Sequence, residues 1–258
     1  RFMFISILSA VVTAAILGAL YKRMIDREVP TKIDIKQALF PIVLGIVSEL
    51  ISGTAVVFFM KWILSLGFTA DTLSPIASTF FSAFAFAGFP EELLKMIMIL
   101  ITLLVFKNKV DNVYEYILIG AAVGIGFSIG EDFGYGTTLA TLAIRLPLIA
   151  GHMVMDMIMG QFLGLAAYNA TRGEKPVKGY YALAFLVPVL IHTMYDAGTI
   201  FNKVLMTAAN GQGTSVDLAI GIIIGIVGFF GCLIIQFVTL IQCKKNAEKL
   251  SAMKTVKE

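Results

Sequence analysis

Residues 85–106 read AFAGFPEELLKMIMILITLLVF. The stretch is apolar enough to lie in a bilayer, yet Glu91, Glu92 and Lys95 stand inside it. A charge near the bilayer centre costs roughly 2.5–3.5 kcal/mol on insertion scales. Ionisable groups this close together in such a setting must be stabilised by one another or by partners elsewhere in the chain.

The rest of the chain has the same character. Of 258 residues, 58% are hydrophobic and 14% charged, and the mean hydropathy is +0.88. A soluble domain usually carries about 25% charged residues. The fold expected is therefore all-α, a polytopic bundle of membrane helices, read as one integral membrane domain over residues 1–258. The two cysteines, Cys232 and Cys243, lie in or at the end of the last apolar run and imply no disulfide framework. No basic block of the kind that binds nucleic acid is present, so the partner expected is the lipid bilayer.

Apolar runs at about residues 2–20, 38–66, 76–106, 113–134, 146–169, 181–205 and 216–242 predict seven transmembrane helices. The third is expected to break near Gly88–Pro90, which would set a helix N-terminus beside Glu91 and Glu92. Basic residues crowd alternate loops: 21–36, 107–109, 171–178 and a tail at 243–258. The loops GFTADTLSP (67–75) and NGQGTSVD (210–217) have no Lys or Arg. The basic loops are thus expected to face the cytoplasm, with the N-terminus outside and the C-terminus inside. A basic cluster after the first run, rather than before it, favours a retained helix over a cleaved signal peptide. With Arg1 rather than Met at its head, the reading allows for residues upstream.

Both histidines lie in apolar runs, and each is followed four residues later by aspartate: His152 with Asp156, His192 with Asp196. At that spacing the two side chains share a helix face. The aspartate can accept one ring N–H and leave the other nitrogen for a metal, a water or an oxyanion. The bland alternative is a satisfied helix–helix hydrogen bond, which two identical pairs using every histidine make less economical. In E-E-x-x-K, Lys95 can reach Glu91 or Glu92, and adjacent buried carboxylates suit general base and acid work. A buried ion pair joining helices is the competing reading. The segment GAAVGIGFSIGEDFGYG (120–136) brings in Glu131 and Asp132, with Gly126, Gly130 and Gly134 as a packing stripe. Asp132 is expected near the outer surface, Arg145 is expected to snorkel there, and Glu49 is left without a role beyond pairing with Lys95 or Ser48.

Depth ties these residues together. At 1.5 Å per residue, Glu92 lies roughly 21 Å from the cytoplasmic end of its helix, Glu131 roughly 24 Å, His152 roughly 27 Å and His192 roughly 18 Å. Four helices place their costly residues at one level, between the middle and the outer leaflet of a core about 30 Å thick. The expectation is one intramembrane site open toward the outer face.

The motifs Glu91–Lys95 (E-E-x-x-K), Phe127–Glu131 (F-x-x-x-E), His152–Asp156 and His192–Asp196 (H-x-x-x-D twice) resemble, in kind and order, those of the PrsW-type intramembrane proteases. That group is placed in the wider superfamily of CAAX-prenyl endopeptidases and bacteriocin-processing enzymes. The resemblance covers a motif-bearing core of about residues 76–200. It implies a multi-pass endopeptidase of the bacterial cell membrane. It further implies a single-pass anti-sigma-factor-like substrate, cut near the extracytoplasmic face as a first cleavage.

The reaction expected is hydrolysis by an activated water, since no serine or cysteine stands beside a histidine as a nucleophile. Glu91 or Glu92 would be the base, with His152 and His192, each held by its aspartate, steadying the water or the oxyanion, and Glu131 completing the cluster. His152, His192 and Glu131 could instead be three zinc ligands with a fourth position open. The reading favours the metal-free glutamic mechanism, with zinc as the alternative. A proton- or cation-coupled transporter is the runner-up, because intramembrane acids and histidines mark ion pathways too, but no repeated half with matching interrupted spans is visible. A non-catalytic scaffold leaves four costly motifs at one depth unexplained.

Overall fold

The structure is a computed structural model and describes residues 2–30, 32–68 and 73–256. Part of the lysine-free loop at 67–75, at residues 69–72, lies outside the described residues. The described chain is helical: α1 (Phe2–Ile25), α2 (Ile35–Ser65), α3 (Pro75–Ala83), α4 (Phe89–Val105), α5 (Val113–Tyr135), α6 (Leu139–Arg145), α7 (Gly151–Arg172), α8 (Val177–Thr199), α9 (Lys203–Ala209) and α10 (Ser215–Ser251). Six of the helical stretches are long and apolar enough to cross a membrane. The joined α3–α4 run, over residues 75–105, stands where the sequence leads us to expect the third of seven spans.

Local signals explain where the helices begin and end. Asp34, Asn112 and Thr214 cap α2, α5 and α10 in reciprocal boxes with Gln37, Glu115 and Asp217. Gly173, in the left-handed region, ends α7. The interruption expected near Gly88–Pro90 takes the form of a π-helical turn, Phe84–Gly88, that joins α3 to α4 without a gap. Gly88 itself is right-handed helical, so Glu91 and Glu92 do not face a free helix N-terminus. The wider turn aims α4 rather than capping it.

Helix α5 is the centre of the bundle. Its glycines let two neighbours approach backbone to backbone. Gly120 and Gly124 meet the α7 backbone at Asp156 and His152, while Gly126 meets Gly45 on α2. Of the stripe expected at Gly126, Gly130 and Gly134, the first two face α2 and Gly134 faces open space. On α1, α2 and α10 the outward faces stay apolar, with Phe4, Val11, Leu50, Phe58, Ile223 and Ile234 exposed. A lipid surround suits such faces, since every backbone group is already paired inside its helix.

The basic segments meet at one end of the bundle. Lys109 Nζ donates to Asp34 at 2.6 Å, and Lys254 Nζ to Asp111 at 2.9 Å. Helix α10 continues to Ser251, so much of the basic tail at 243–258 is helical. Beyond it the chain folds back, and Lys254 pairs with Asn112 in an isolated antiparallel bridge.

Candidate functional site

The π turn and Gly88 bring α4 against α8, where Gly88 touches Thr193, one residue past His192. Gly124 brings α7 against α5 at His152. These two close approaches set the acids of α4 and the imidazoles of α7 and α8 around one point.

Glu92 and Lys95 are both fully buried. Lys95 Nζ donates to Glu92 Oε1 at 2.5 Å and to His152 Nδ1 at 3.0 Å, and it lies 4.5 Å from the Phe127 ring centroid. An ammonium group only donates, so His152 Nδ1 accepts and Nε2 carries the ring proton. That N–H donates to Glu131 Oε2 at 2.9 Å. On α8, His192 Nδ1 donates to Glu92 Oε1 at 2.8 Å, while its Nε2 faces Asp196 at 3.4 Å and Glu91 at 3.7 Å. The two imidazole centroids are 5.0 Å apart. Glu91 is only partly buried, and its nearest charged neighbour is His192 Nε2 at 3.7 Å.

Several expectations change here. Asp156 does not hold His152. Lys95 and Glu131, reaching in from α4 and α5, take both ring nitrogens, and neither Asp156 oxygen finds a donor among the described residues. Only the second pair, His192 with Asp196, comes together as an i, i+4 pair. The carboxylate grouped with the histidines is Glu92 rather than Glu131: donor atoms of Glu92, His152 and His192 lie within 4.8 Å of one another. Glu131 sits on the far side of His152, turned to Arg145 Nη2 at 2.5 Å.

Arg145 does not snorkel. The connection between α5 and α7 folds back through α6, and Arg145 binds Glu131 and Asp132 together. Asp132 is buried and also accepts from Thr13 on α1. Glu49 packs beside Gly130, away from Lys95, and the Ser48 hydroxyl donates to Gly45 O instead. Of these, Asp132 with Arg145 carried a usable signal, as opposite charges flanking one short connection.

The donor set fits a metal ion. Two imidazoles and a carboxylate are the usual three protein ligands of a catalytic zinc site. Glu92 Oε2 is buried without a partner, an orphaned acceptor at the centre of the cluster. Both His152 nitrogens are engaged as the cluster stands, so a ligand at His152 takes the place of Lys95 or Glu131 there.

A family model described as a PrsW family intramembrane metalloprotease matches residues 35–232. Protease PrsW of Bacillus subtilis (strain 168) is 34% identical over 122 residues, which are 46% of this chain and 54% of that protein. Protease PrsW of Halalkalibacterium halodurans is 30% identical over 159 residues, 60% of this chain and 70% of that protein. The chain therefore spans about half the length of the Bacillus subtilis relative. No solved structure matches it.

Proposed function

The chain belongs to the PrsW family of intramembrane metalloproteases, and on that premise we propose that it hydrolyses a peptide bond of a membrane protein substrate. One observation carries the reading: Glu92, Lys95, His152 and His192, from α4, α7 and α8, meet in a buried cluster that keeps unused acceptor capacity. A merely structural ion pair is expected to satisfy all its oxygens.

Each residue then has a task. Glu91, half-buried and uncommitted, takes a proton from the attacking water and later gives it to the leaving amine. Glu92 holds His192 by Nδ1, so Nε2 points at Glu91 and Asp196 and can orient the water between them. Lys95 fixes the tautomer of His152 and neutralises Glu92. Glu131 holds the other side of the His152 ring, and a metal ion at His152 would take the place of one of these two partners. A metal ion bound by Glu92, His152 and His192, with zinc the species their chemistry suits, would polarise the scissile carbonyl and acidify the water. The family description and this donor set move the reading from a metal-free mechanism to a metal-dependent one.

A single-pass anti-sigma-factor-like substrate, cut near the outer face, suits the height of the cluster in a bacterial membrane. Kinship with the CAAX-prenyl endopeptidases, and the organisation of residues 1–258 as one membrane domain, belong to the same proposal. The test uses purified protein in liposomes with a tagged single-pass substrate. Wild type is expected to cut it, and Glu92→Gln to lower the rate by about 10³-fold or more at a temperature where the variant is still folded. Unchanged cutting by Glu92→Gln contradicts the site, and ion flux without cutting favours transport.

A further inference from the structure

Helices α1 and α10 both pack on α5 but make few direct contacts with each other, which leaves a groove between them. At the basic end of the bundle the groove widens into a cavity of about 240 Å³, counted as space open to the centre of a water molecule. One water needs roughly 10–15 Å³ on that measure. The space therefore admits a phosphate together with the start of an acyl chain. Leu20 on α1 and Phe237 and Ile241 on α10 form its apolar wall. One turn further into the membrane, on the same two helix faces, Ile16 and Ile234 are exposed.

The facing wall is cationic. Arg23 and Arg27, at the end of α1, and Lys244 on α10 all line the cavity, and no carboxylate does. Arg23 and Arg27 are four residues apart, a spacing at which like charges on a helical face repel. The nearby acids are committed elsewhere. Asp26 pairs with Lys22 at 2.8 Å and with Lys32 at 3.3 Å, and Glu28 accepts the Ile33 N–H at 2.7 Å. Arg27 Nη1 donates to Arg23 O at 3.4 Å, and no ion pair among the described residues includes Arg23, Arg27 or Lys244. Three positive charges thus face one space whose other side is apolar.

We propose that this groove binds an anionic phospholipid of the leaflet that the basic loops face. The phosphate sits between Arg23, Arg27 and Lys244, and an acyl chain follows Leu20, Phe237 and Ile241 toward the bilayer centre. Basic pockets between membrane helices at head-group level suit lipid phosphates. An arginine can grip two phosphate oxygens at once, while a lysine adds a point charge. A free phosphate would use the cations alone and leave the apolar wall bare, so a lipid is the occupant that fits both walls. Bound there, it joins α1 to α10 across the gap and favours the folded bundle by mass action.

The test titrates the purified chain, in a neutral detergent, with short-chain phosphatidylglycerol and reads the heat of binding and the thermal midpoint. Saturable binding of about one lipid per chain and a raised midpoint are expected. Phosphatidylcholine with the same chains is expected to bind about tenfold or more weakly, and inorganic phosphate to leave the midpoint unchanged. Arg23→Gln, Arg27→Gln and Lys244→Gln are each expected to weaken phosphatidylglycerol binding about fivefold. Lys107→Gln, which removes a basic-loop charge outside the cavity, is expected to bind as wild type does. Arg23 and Lys244 are exposed, so their variants keep the test valid if Arg27→Gln folds poorly. Equal binding of phosphatidylcholine, an equal response to inorganic phosphate, or wild-type affinity in the Arg23 and Lys244 variants overturns the site. A loss in Lys107→Gln as large as theirs overturns it too, because diffuse surface charge then explains the binding.

Discussion

Two acidic clusters stand at different heights in this protein, and they bond to different kinds of partner. At the basic end, Glu28 accepts the Ile33 N–H at 2.7 Å, and Glu115 accepts the N–H groups of Asp111 and Asn112 at 2.5 and 3.3 Å. Asp34 accepts the N–H groups of Lys36 and Gln37, each at 2.9 Å. These carboxylates close helix ends and loops. In the membrane cluster, Glu92, Glu131, His152 and His192 bond to one another, to Lys95 and to Arg145, with no backbone partner. Each cluster keeps buried oxygens unpartnered, on Glu92 and Asp156 here and on Glu28 at the basic end, so the difference lies in the partners. Acids tied to backbone N–H groups hold a fold together. Acids tied to other side chains can rearrange around a ligand without unmaking a helix end.

The largest break in that contrast is expected from the helix packing that builds the upper cluster. A Cβ on Gly124 would lie 2.5 Å from the His152 carbonyl oxygen and 2.6 Å from Met153 Cα. Gly124→Ala must push α7 outward at His152. The expected cost is about 1–3 kcal/mol of stability and, because a displacement near 1 Å misaligns the reacting groups, about 10² in cleavage rate. Gly134→Ala, where nothing lies within 4 Å, is the control and should change neither. A thermal scan beside the cleavage assay reads both, and equal behaviour of the two variants would contradict the packing account.

The lower cluster is expected to respond to pH rather than in catalysis. Glu28 is buried, and burial pushes its carboxyl above the ordinary glutamate range despite the Ile33 hydrogen bond. The folded state therefore holds its proton to higher pH than the unfolded state does. Stability from this group is full below the unfolded value and declines as pH rises through the folded one. Glu28→Gln keeps an acceptor for Ile33 and removes the titration. The thermal midpoint of the variant should be flatter across that window, and an unchanged slope would show that Glu28 does not titrate there.

The smallest effect belongs to the ion pair that fastens the tail. The Lys254 and Asp111 side chains are 33% and 44% exposed. Pairs this accessible contribute at most about 1 kcal/mol. Lys254→Ala should lower the thermal midpoint slightly and leave cleavage at the wild-type rate. A large activity loss would mean that the tail reports to the site.

The sequence made the spans and the meeting of Glu92, His152 and His192 legible because apolar runs, charged loops and a fixed helical rise are local properties. Expecting His152 to bond Asp156 followed the same local logic, and it failed because Lys95 and Glu131 from other helices took both ring nitrogens. Spacing states who can meet within one helix and is silent about competitors from two others. Arg145 was misread for a related reason. Its distance from a span end suggested snorkelling, and only the fold of α6 turns it back to Glu131 and Asp132. The π turn at Phe84–Gly88 left no trace beyond Gly88 and Pro90, which equally suit a break.

The central claim is that Glu92, His152 and His192 form one ligand site, with Glu131 outside it. The most direct test is elemental analysis of purified protein equilibrated with zinc and then dialysed. The account predicts about one zinc per chain in wild type and in Glu131→Gln, and little in Glu92→Gln, His152→Ala or His192→Ala. Zinc retained by Glu92→Gln but lost from Glu131→Gln, or no metal in protein that cleaves, would contradict it.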